Sequence, residues 1–384
     1  MSLSSVVVVG SGLAGYTVVR ELRRLDSDVS ITLLSADHAG FYSKPMLSNA
    51  LATGKIPDAI INSSAEQMAE QLSITIRPYT HVDAIDTSER SVHFENGAPL
   101  VYSHLVLAVG ANPVRLPILG DGADEILSIN NLDDYRKFRE NLEDKRHVAI
   151  LGAGLIGCEF ANDLAAKRYQ VTVFDVSSQP LGRLLPPEAG QFFRDKLTTA
   201  GVNFVLDTAI EKIDKVNGSY YLHYRDGGMV QADMVLSAVG LQPHTNLATA
   251  TGIQINRGIV IDRYLQTSIQ NIYALGDCAE VAGKVLPFIL PISYAGRALA
   301  ATLAGNPTLL RYPAMPVMVK TPACPTIVAP PAAEAEGIWK VETVENGMKA
   351  LYQDKVGNLL GFALLGAATS ERGALTALLP PILD

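Results

Sequence analysis

The chain contains few cysteines, and they lie far apart. Cys158, Cys278 and Cys324 are the three cysteines among 384 residues, and no two of them form a CxxC pair. A disulfide framework or a structural zinc site needs cysteines that come together in pairs or groups. This spacing argues against both kinds of site, and it predicts buried, reduced thiols and no bound metal.

Basic residues are not in excess, and long apolar runs are missing. The formal net charge is −8 and the pI is about 5.4, whereas a nucleic-acid-binding protein needs a basic face. No apolar run reaches the roughly 18 residues that cross a bilayer. The first residues, Met1–Ser5, contain no basic region typical of a signal peptide. We therefore predict a cytoplasmic protein without a nucleic-acid partner or membrane insertion, and the sequence leaves its oligomeric state open.

Two glycine-rich loops stand out, each between an apolar run and an amphipathic stretch. The first reads VVVVGSGLAG over residues 6–15, and the second reads HVAILGAGLIG over residues 147–157. The first glycine of this pattern permits a tight strand-to-helix turn, the second lets a pyrophosphate approach the backbone, and the third allows close helix packing. Two such loops predict two bound dinucleotides, a combination typical of a flavin that a nicotinamide reduces. The predicted contact positions are Gly10, Ser11, Gly12, Leu13, Ala14 and Gly15 in one loop, and Gly152, Gly154, Leu155, Ile156 and Gly157 in the other.

The pattern of apolar runs indicates that one unit is inserted into another. Leu-Ala-Val-Gly ends a buried strand at 107–110, and Ser-Ala-Val-Gly ends another at 237–240. This weak internal repeat suggests that both units share one design. After residue 241 the chain is expected to return to the first unit, through a strand that ends in Gly276-Asp277. Prolines and short alternating strands from about residue 315 predict a further domain.

These features predict an α/β fold with two nested Rossmann-like dinucleotide-binding domains and a C-terminal α+β domain. The predicted boundaries are 1–112 with 242–314 for the first domain, 113–241 for the inserted domain and 315–384 for the C-terminal domain.

The strand after each loop is expected to end in an acid that binds a ribose hydroxyl. Asp175 ends that strand in the second unit, and its charge repels a 2′-phosphate, which predicts NADH rather than NADPH. A solvated carboxylate without a ligand is the alternative interpretation. In the first unit Ser35 occupies this position and is followed by Ala36 and Asp37, so we expect Ser35 or backbone groups to hold the ribose.

Several motifs resemble the FAD-dependent pyridine-nucleotide oxidoreductases of the glutathione-reductase type. Within that superfamily the chain resembles the rubredoxin–NAD reductases over essentially its whole length. The stretches that carry the resemblance are YSKPMLS at 42–48, LGAGLIGCEFAND at 151–163, SAVGL at 237–241, NIYALGDCAEV at 271–281 and VKTPACP at 319–325.

The resemblance implies that the first loop binds the pyrophosphate of FAD and that Asp277 binds its ribityl chain. It implies that the second loop and Asp175 bind NADH or NAD⁺. The remaining positions that it assigns to cofactor contact are Ser35, Ala36, Lys44, Pro45, Val82, Ala108, Gly110, Glu159, Gly240 and Lys320.

Lys44 and Glu159 are the catalytic candidates. The resemblance implies that they form an ion pair beside the reactive edge of the flavin, where the pair orients the nicotinamide and holds the charge of the reduced cofactor. An ordinary Glu in the first turn of a helix and a surface Lys are the alternative. Lys320 resembles a further flavin contact, and an exposed lysine at a strand end is its alternative interpretation.

The electron acceptor is suggested by a missing cysteine. Disulfide reductases with this fold have a cysteine pair near residues 40–50 or a CxxC in the inserted domain, but residues 41–46 here read FYSKPM. The resemblance implies an NADH:rubredoxin oxidoreductase that passes hydride to FAD and single electrons to rubredoxin, for example for alkane hydroxylation. We expect a basic docking rim that includes Arg297 and Lys320. A ferredoxin reductase of an oxygenase system and an NADH-gated FAD-binding regulatory protein are the alternatives.

Overall fold

The computed structural model of the chain describes residues 5–95 and 97–384. The helices there are α1 (Leu13–Leu25), α2 (Ala65–Leu72), α3 (Leu132–Asn141), α4 (Leu155–Ala166), α5 (Pro187–Thr199), α6 (Asn246–Thr251), α7 (Ile289–Leu303) and α8 (Arg372–Thr376). Short 3₁₀ helices span Lys44–Asn49, Pro57–Ile60, Ala123–Glu125, Arg225–Gly227 and Ala367–Glu371.

The strands before residue 114 are β1 (Ser5–Val9), β2 (Ser30–Leu34), β3 (Phe41–Tyr42), β4 (Ile61–Ser63), β5 (Thr75–Arg77), β6 (Ala84–Asp86), β7 (Ser91–His93), β8 (Leu100–Val101), β9 (His104–Leu107) and β10 (Ala111–Pro113). The next are β11 (Leu127–Ser128), β12 (His147–Leu151), β13 (Gln170–Phe174), β14 (Val202–Val205), β15 (Ile210–Val216), β16 (Ser219–Tyr224), β17 (Gly228–Ala232), β18 (Met234–Ser237) and β19 (Leu241–Pro243). The last are β20 (Ile259–Ile261), β21 (Ile272–Ala274), β22 (Ala279–Val281), β23 (Val317–Val319), β24 (Thr326–Ala329), β25 (Ile338–Val344), β26 (Gly347–Gln353) and β27 (Leu359–Gly366).

The first glycine loop follows a parallel five-stranded sheet with the strand order β21-β9-β1-β2-β5. Strand β1 is a run of valines that is buried along most of its length, as expected for a central parallel strand covered on both faces. Helices α1 and α7 pack closely beside it. At Gly296 of α7 a Cβ atom would lie 2.5 Å from Thr17 Cγ2 of α1, so a larger residue would force the two helices apart.

The second glycine loop follows a parallel sheet of the same design, with the order β11-β18-β12-β13-β14. A three-stranded antiparallel sheet precedes the closing strand in both units, as β6-β7-β8 before β9 and as β15-β16-β17 before β18. The predicted fold of two Rossmann-like units is therefore confirmed. Strand β21 pairs with β9, so the chain does return to the first sheet after the second unit.

The two chain segments that connect these units run side by side, because β10 in one segment pairs antiparallel with β19 in the other. Ala111 lies opposite Pro243, and Pro113 lies opposite Leu241. The predicted boundaries after residues 112 and 241 fall within this pair, and they stay a prediction.

The C-terminal part forms an antiparallel sheet with the order β23-β24-β27-β26-β25. One face of this sheet shares an apolar core with the second unit and with the segment after β3. Val328 and Leu365 from the sheet, Phe193 from α5 and Leu47 from the 3₁₀ helix Lys44–Asn49 belong to that core. The C-terminal sheet is thereby packed beside α4 and the Lys44 segment. Among the described helices, none is both long and apolar enough to cross a membrane.

Candidate functional site

Each glycine loop lies against the end of the strand that carries the Ala-Val-Gly repeat. At Gly10 a Cβ atom would lie 2.2 Å from the carbonyl oxygen of Ala108, and at Gly152 it would lie 2.6 Å from that of Ala238. The φ angles of the two glycines, +115° and +102°, are ones that residues with a side chain rarely adopt. Glycine is therefore required at both positions, and the two units use the same close approach.

The middle glycine of each loop faces open space. Apart from the atoms of the adjoining backbone, no described atom lies within 4 Å of the place that a Cβ atom would take at Gly12 or Gly154. These glycines are the N-caps of α1 and α4, and neither helix has a side-chain capping hydrogen bond there. The first N–H groups of both helices are therefore available to an anion, which the helix dipole also favours. This geometry fits one pyrophosphate at each loop.

Ser35 in the first unit lies in a small polar cluster beside its glycine loop. Its hydroxyl is 2.6 Å from the hydroxyl of Ser11 and donates to Asp37 Oδ1 at 2.6 Å. Asp37 Oδ1 also accepts from Ser11 Oγ at 3.1 Å and from the Ala39 N–H at 2.9 Å. A carboxylate thus lies beside this loop after all, supplied two residues after Ser35. The sequence prediction names Ser35 and the exposed Ala36 but not Asp37, whose acidic side chain three residues after the end of β2 is the available signal.

Asp175 in the second unit lies directly against the second loop. Its carboxylate accepts hydrogen bonds from the Ala153 N–H at 2.5 Å and from the Ser177 N–H at 2.7 Å. Ala153 stands between the first two glycines of that loop. The acid is therefore fixed beside the N-terminus of α4, where a dinucleotide ribose would follow the pyrophosphate.

Other predicted contact positions lie at the same edge of the two sheets. Gly110 and Gly240 follow the repeat strands, and both have open space where a Cβ atom would lie. Ile156, in the first turn of α4, is 42% exposed. Val82 differs from them, since its side chain belongs to the buried core of the first unit. Leu13, Ala14, Pro45 and Leu155 are each buried or half-buried at the start of a helical segment.

Asp277 lies close to the first loop because Gly276 packs on α1. At Gly276 a Cβ atom would lie 2.8 Å from Ala14 Cβ. Among the described residues, none donates a hydrogen bond to the Asp277 carboxylate. Burial raises the pKa of this carboxyl, and the charge of Lys44 lowers it. A half-buried acid without a protein partner fits the hydroxyl groups of a bound cofactor.

Lys44 is half-buried between carboxylates. Its Nζ donates to Asn130 Oδ1 at 2.6 Å, and Asn130 Nδ2 donates to the carbonyl of Ala111 in β10 at 2.8 Å. Burial lowers the pKa of Lys44, whereas the charges of Asp277 and Asp134 raise it. Lys44 is therefore a cation near the first loop whose direct partner is an amide, which the sequence did not indicate.

The predicted ion pair between Lys44 and Glu159 is wrong. Glu159 is fully buried, and its carboxylate forms a salt bridge with Lys320 Nζ instead. It also accepts from Ser48 Oγ at 2.5 Å and from the Lys320 N–H at 2.8 Å. A 3₁₀ helix has three residues per turn, so residues 44 and 48 point in different directions, and here Ser48 faces Glu159.

The position of Lys320 excludes one of its two interpretations, and the flavin contact stays a prediction. Its side chain is 25% exposed, so it is not an exposed lysine at a strand end. Because its charge is paired with Glu159, Lys320 is not a free cation for the expected docking rim. Arg297 is exposed and lies 4.0 Å from Glu21.

Comparison with known proteins identifies the family. Residues 4–302 match the family described as pyridine nucleotide-disulphide oxidoreductase, and residues 309–379 match the rubredoxin binding C-terminal domain. The chain belongs to the pyridine nucleotide-disulphide oxidoreductases. Lys320 thus lies in the stretch that matches the rubredoxin binding domain, while Glu159 lies in the larger match.

Individual relatives support the resemblance over the whole chain. The rubredoxin-NAD(+) reductase of Acinetobacter baylyi is 48% identical over 387 residues, which cover 98% of each chain. The rubredoxin-NAD(+) reductase of Alcanivorax borkumensis is 45% identical, over 98% of this chain and 99% of the relative. The ferredoxin reductase for the CYP199A2 system from Rhodopseudomonas palustris has a similar structure, with a TM-score of 0.88 and 25% identity over 98% of this chain and 95% of that one. The resemblance predicted from the motifs is confirmed.

The three cysteines are buried thiols. Cys158 Sγ donates to the carbonyl of Ala153 at 3.3 Å, and Cys278 Sγ donates to that of Leu275 at 3.3 Å. Burial raises the pKa of all three thiols, that of Cys278 to about 11. Since the thiolate is the reactive form, none of them suits dithiol chemistry. Their burial agrees with the prediction from their spacing.

Two further polar residues of α4 were missed by the sequence analysis. Asn162 Oδ1 accepts from the Ala323 N–H at 3.1 Å. Asp163 accepts from the Leu51 N–H at 3.1 Å and from the Ala52 N–H at 2.8 Å. Their spacing from Glu159, three and four residues, places all three on one face of an otherwise apolar helix. That spacing in the stretch EFAND was the available signal.

Proposed function

We propose that the protein is an FAD-dependent NADH:rubredoxin oxidoreductase. One observation carries the proposal: Lys320, in the stretch that matches the rubredoxin binding domain, is paired with Glu159 on the helix that begins at the second glycine loop. Ser48, from the first unit, donates to the same carboxylate. The two nucleotide-binding units and the rubredoxin-binding part thus meet at one buried group. The near-complete coverage of the rubredoxin-NAD(+) reductase relatives supports the same acceptor.

The residues of the two loops are proposed to bind the two cofactors. FAD is held by residues 10–15 with Asp277 on its ribityl chain, and NADH is held by residues 152–157 with Asp175 on its ribose. Bound FAD supplies the conversion of one hydride into two single electrons. Lys44 provides positive charge beside the first loop, and Asp175 disfavours the 2′-phosphate of NADPH. The other positions that the resemblance assigns to cofactor contact are proposed to line the two binding sites. Asp37 is proposed to act together with Ser35 at the ribose of FAD.

The burial of the three thiols indicates how electrons leave the flavin. Cys158, Cys278 and Cys324 are buried and far apart in sequence, and their raised pKa values keep them protonated. A dithiol relay is therefore not part of the proposal, and the electrons pass directly to a docked carrier.

The test is NADH oxidation by the purified protein, with cytochrome c as final acceptor, with and without rubredoxin. The proposal expects a large rubredoxin-dependent rate and a much smaller rate with NADPH. A ferredoxin is the matched alternative acceptor, because a ferredoxin reductase shares this fold. Fast reduction of the flavin by NADH without reoxidation by rubredoxin would contradict the proposed acceptor. Slow reduction, or a long-lived NAD⁺ complex, would favour an NADH-gated regulatory protein.

We also propose a cytoplasmic location, as predicted from the lack of long apolar runs, and, from the resemblance, a role of the reduced rubredoxin in alkane hydroxylation. Domain boundaries after residues 112, 241 and 314 belong to the proposal, and the pairing of β10 with β19 supports the first two. Cell fractionation tests the location. Growth of a deletion strain on alkanes tests the pathway.

A further inference from the structure

One face of α4 consists of buried polar side chains. Glu159, Asn162 and Asp163 are 0%, 6% and 2% exposed, and the helix around them is apolar. Burial of polar groups costs free energy unless they are hydrogen-bonded. The hydrogen bonds of these three side chains all run to other parts of the chain, not to neighbouring turns of the helix.

On one side this face holds the segment that carries Lys44. Asp163 accepts both the Leu51 N–H and the Ala52 N–H, and Glu159 accepts Ser48 Oγ. Ser48 belongs to the last turn of the 3₁₀ helix Lys44–Asn49, and Leu51 and Ala52 come shortly after it, so the end of that helix is fixed to α4.

On the other side it holds the segment that carries Lys320. Asn162 accepts the Ala323 N–H, and Glu159 accepts the Lys320 N–H. Ala323 lies in a tight turn in which the Cys324 N–H donates to the carbonyl of Thr321 at 2.9 Å. Fixing Ala323 therefore fixes the backbone from which Lys320 extends.

We propose that Asn162 and Asp163 are positioning residues, Asn162 for Lys320 and Asp163 for Lys44. Each acts through backbone N–H groups of the segment that it holds. Because Lys44 and Lys320 belong to different segments, the two positioning roles are separable. The inference deepens the proposed function, and it rests on that function only in taking both lysines to lie beside bound FAD.

The test is a set of double-mutant cycles in the full-length protein. Asn162→Leu removes one hydrogen-bond acceptor at nearly constant size, and Asp163→Leu removes two. Each is combined with Lys320→Met and with Lys44→Met. Two quantities are measured: the dissociation constant of FAD, from the fluorescence of released cofactor, and the anaerobic rate of FAD reduction by NADH.

The expected pattern is selective. Asn162→Leu raises the dissociation constant of FAD or lowers the rate of FAD reduction roughly tenfold, or does both. A change of this size is typical of a slightly misplaced functional group. Added to Lys320→Met it has less than about a twofold further effect, since coupled sites are not additive. Added to Lys44→Met it keeps its full effect. Asp163→Leu shows the reverse pattern.

Asn141→Leu is the matched control, because Asn141 ends α3 with an exposed side chain and should change neither quantity. Hydrogen exchange checks that each change acts locally: Asn162→Leu should raise exchange around residues 320–325, and Asp163→Leu around residues 47–53. Where Asn162→Leu fails to fold, Asn162→Ser withdraws the same acceptor with a smaller change.

Equal effects of Asn162→Leu in both lysine backgrounds would overturn the proposal and leave a merely structural role. So would a local rise in hydrogen exchange without any change in FAD affinity or reduction rate. Failure of rubredoxin to reoxidise the flavin would refute the proposed acceptor alone, since neither measured quantity involves rubredoxin. If NADH did not reduce the flavin, the double-mutant cycles that use the dissociation constant of FAD would still test the two positioning roles.

Discussion

At the scale of single residues, the carboxylates of the site are held largely by backbone N–H groups. Asp175 accepts two, from Ala153 and Ser177, and Glu159 accepts that of Lys320. Such bonds fix both oxygen atoms of a carboxylate and stabilise its charge. The residue types and spacings of these acids could be predicted from the sequence. The partner of Glu159 could not, because two lysines fitted the motifs and only the packing of the 3₁₀ helix Lys44–Asn49 selects Lys320.

Asp175→Ala is expected to reduce the preference for NADH over NADPH. In the proposed binding mode, the change removes the charged acceptor of hydrogen bonds that the ribose hydroxyls donate, and with it the repulsion of a 2′-phosphate. We expect kcat/KM for NADH to fall about tenfold to a hundredfold, and kcat/KM for NADPH to fall less or to rise. Asp37→Ala is the control, since it should weaken FAD retention and leave the nucleotide ratio unchanged. An unaltered ratio in Asp175→Ala would contradict the assignment.

Asp163 is expected to make stability depend on pH between about 4 and 6. Burial raises the pKa of its carboxyl from 3.8 to about 6, although the hydrogen bonds from the Ala52 and Leu51 N–H groups and the charges of Arg139 and Lys167 act in the opposite direction. The neighbouring Tyr135 on α3 has its own pKa raised, chiefly by burial. The folded protein thus binds this proton more tightly than the unfolded chain. The contribution of Asp163 to the free energy of unfolding is therefore greatest at low pH and is lost as the pH rises towards 6.

The comparison with Asp163→Asn isolates this effect. A rise of about two pKa units corresponds to about 3 kcal/mol. From pH 7 down to about 4, the wild-type protein should therefore gain up to about 3 kcal/mol in unfolding free energy relative to Asp163→Asn. Urea unfolding at several pH values measures the difference. A constant difference across this range would show that Asp163 has an ordinary pKa.

At the scale of elements, the long periodic segments followed from the sequence and the short paired strands did not. Helices α1 and α4 occupy the stretches that follow the two glycine loops, where the sequence pattern indicates helices. Asn217-Gly218, a dipeptide typical of two-residue hairpin turns, joins β15 to β16 with φ angles of +51° and +83° that suit a type I′ turn. Strands β10, β19 and β23 have three residues each, and such pairs depend on tertiary contacts more than on local propensity.

The end of α1 offers a test at this scale. The Arg23 guanidinium donates to five backbone carbonyls, those of Asp26, Ser27, Val29, Leu72 and Ser73. Two of these carbonyls lie at the end of α2, so one side chain fastens the two helices together.

Arg23→Ala should lower the unfolding free energy by about 2–3 kcal/mol, because hydrogen bonds from a charged donor are lost and carbonyls lose their partner. Arg23→Lys should not restore the unfolding free energy, since an ammonium group lacks the planar array of five donors. The neighbouring Arg24→Ala is the control: Arg24 is largely exposed and, within the part of the chain that the structure describes, pairs only with Glu21, so its removal should cost less than about 1 kcal/mol. Urea unfolding with saturating FAD measures all three. Equal effects of Arg23→Ala and Arg24→Ala would refute the role of Arg23.

At the scale of the whole molecule, three distant stretches meet at one carboxylate. Ser48, Glu159 and Lys320 come from the first unit, the second unit and the C-terminal part. The internal repeat predicted that the two nucleotide-binding units share a design. It could not predict how the C-terminal sheet packs against them, because that contact depends on side chains more than 100 residues apart.

Lys320→Met should destabilise the protein more than the removal of both charges. It leaves a fully buried carboxylate without its cation, which typically costs about 3–5 kcal/mol. Since Lys320 keeps a quarter of its surface exposed, we expect a loss of about 3 kcal/mol. In the double variant Glu159→Gln with Lys320→Met, the amide oxygen still accepts the residue 320 N–H and the amide nitrogen can donate to Ser48 Oγ. All polar groups then keep a partner, so most of the loss should be recovered. Urea unfolding and limited proteolysis of the C-terminal sheet compare the variants. A double variant no more stable than Lys320→Met would mean that the charge pair does not hold the three parts together.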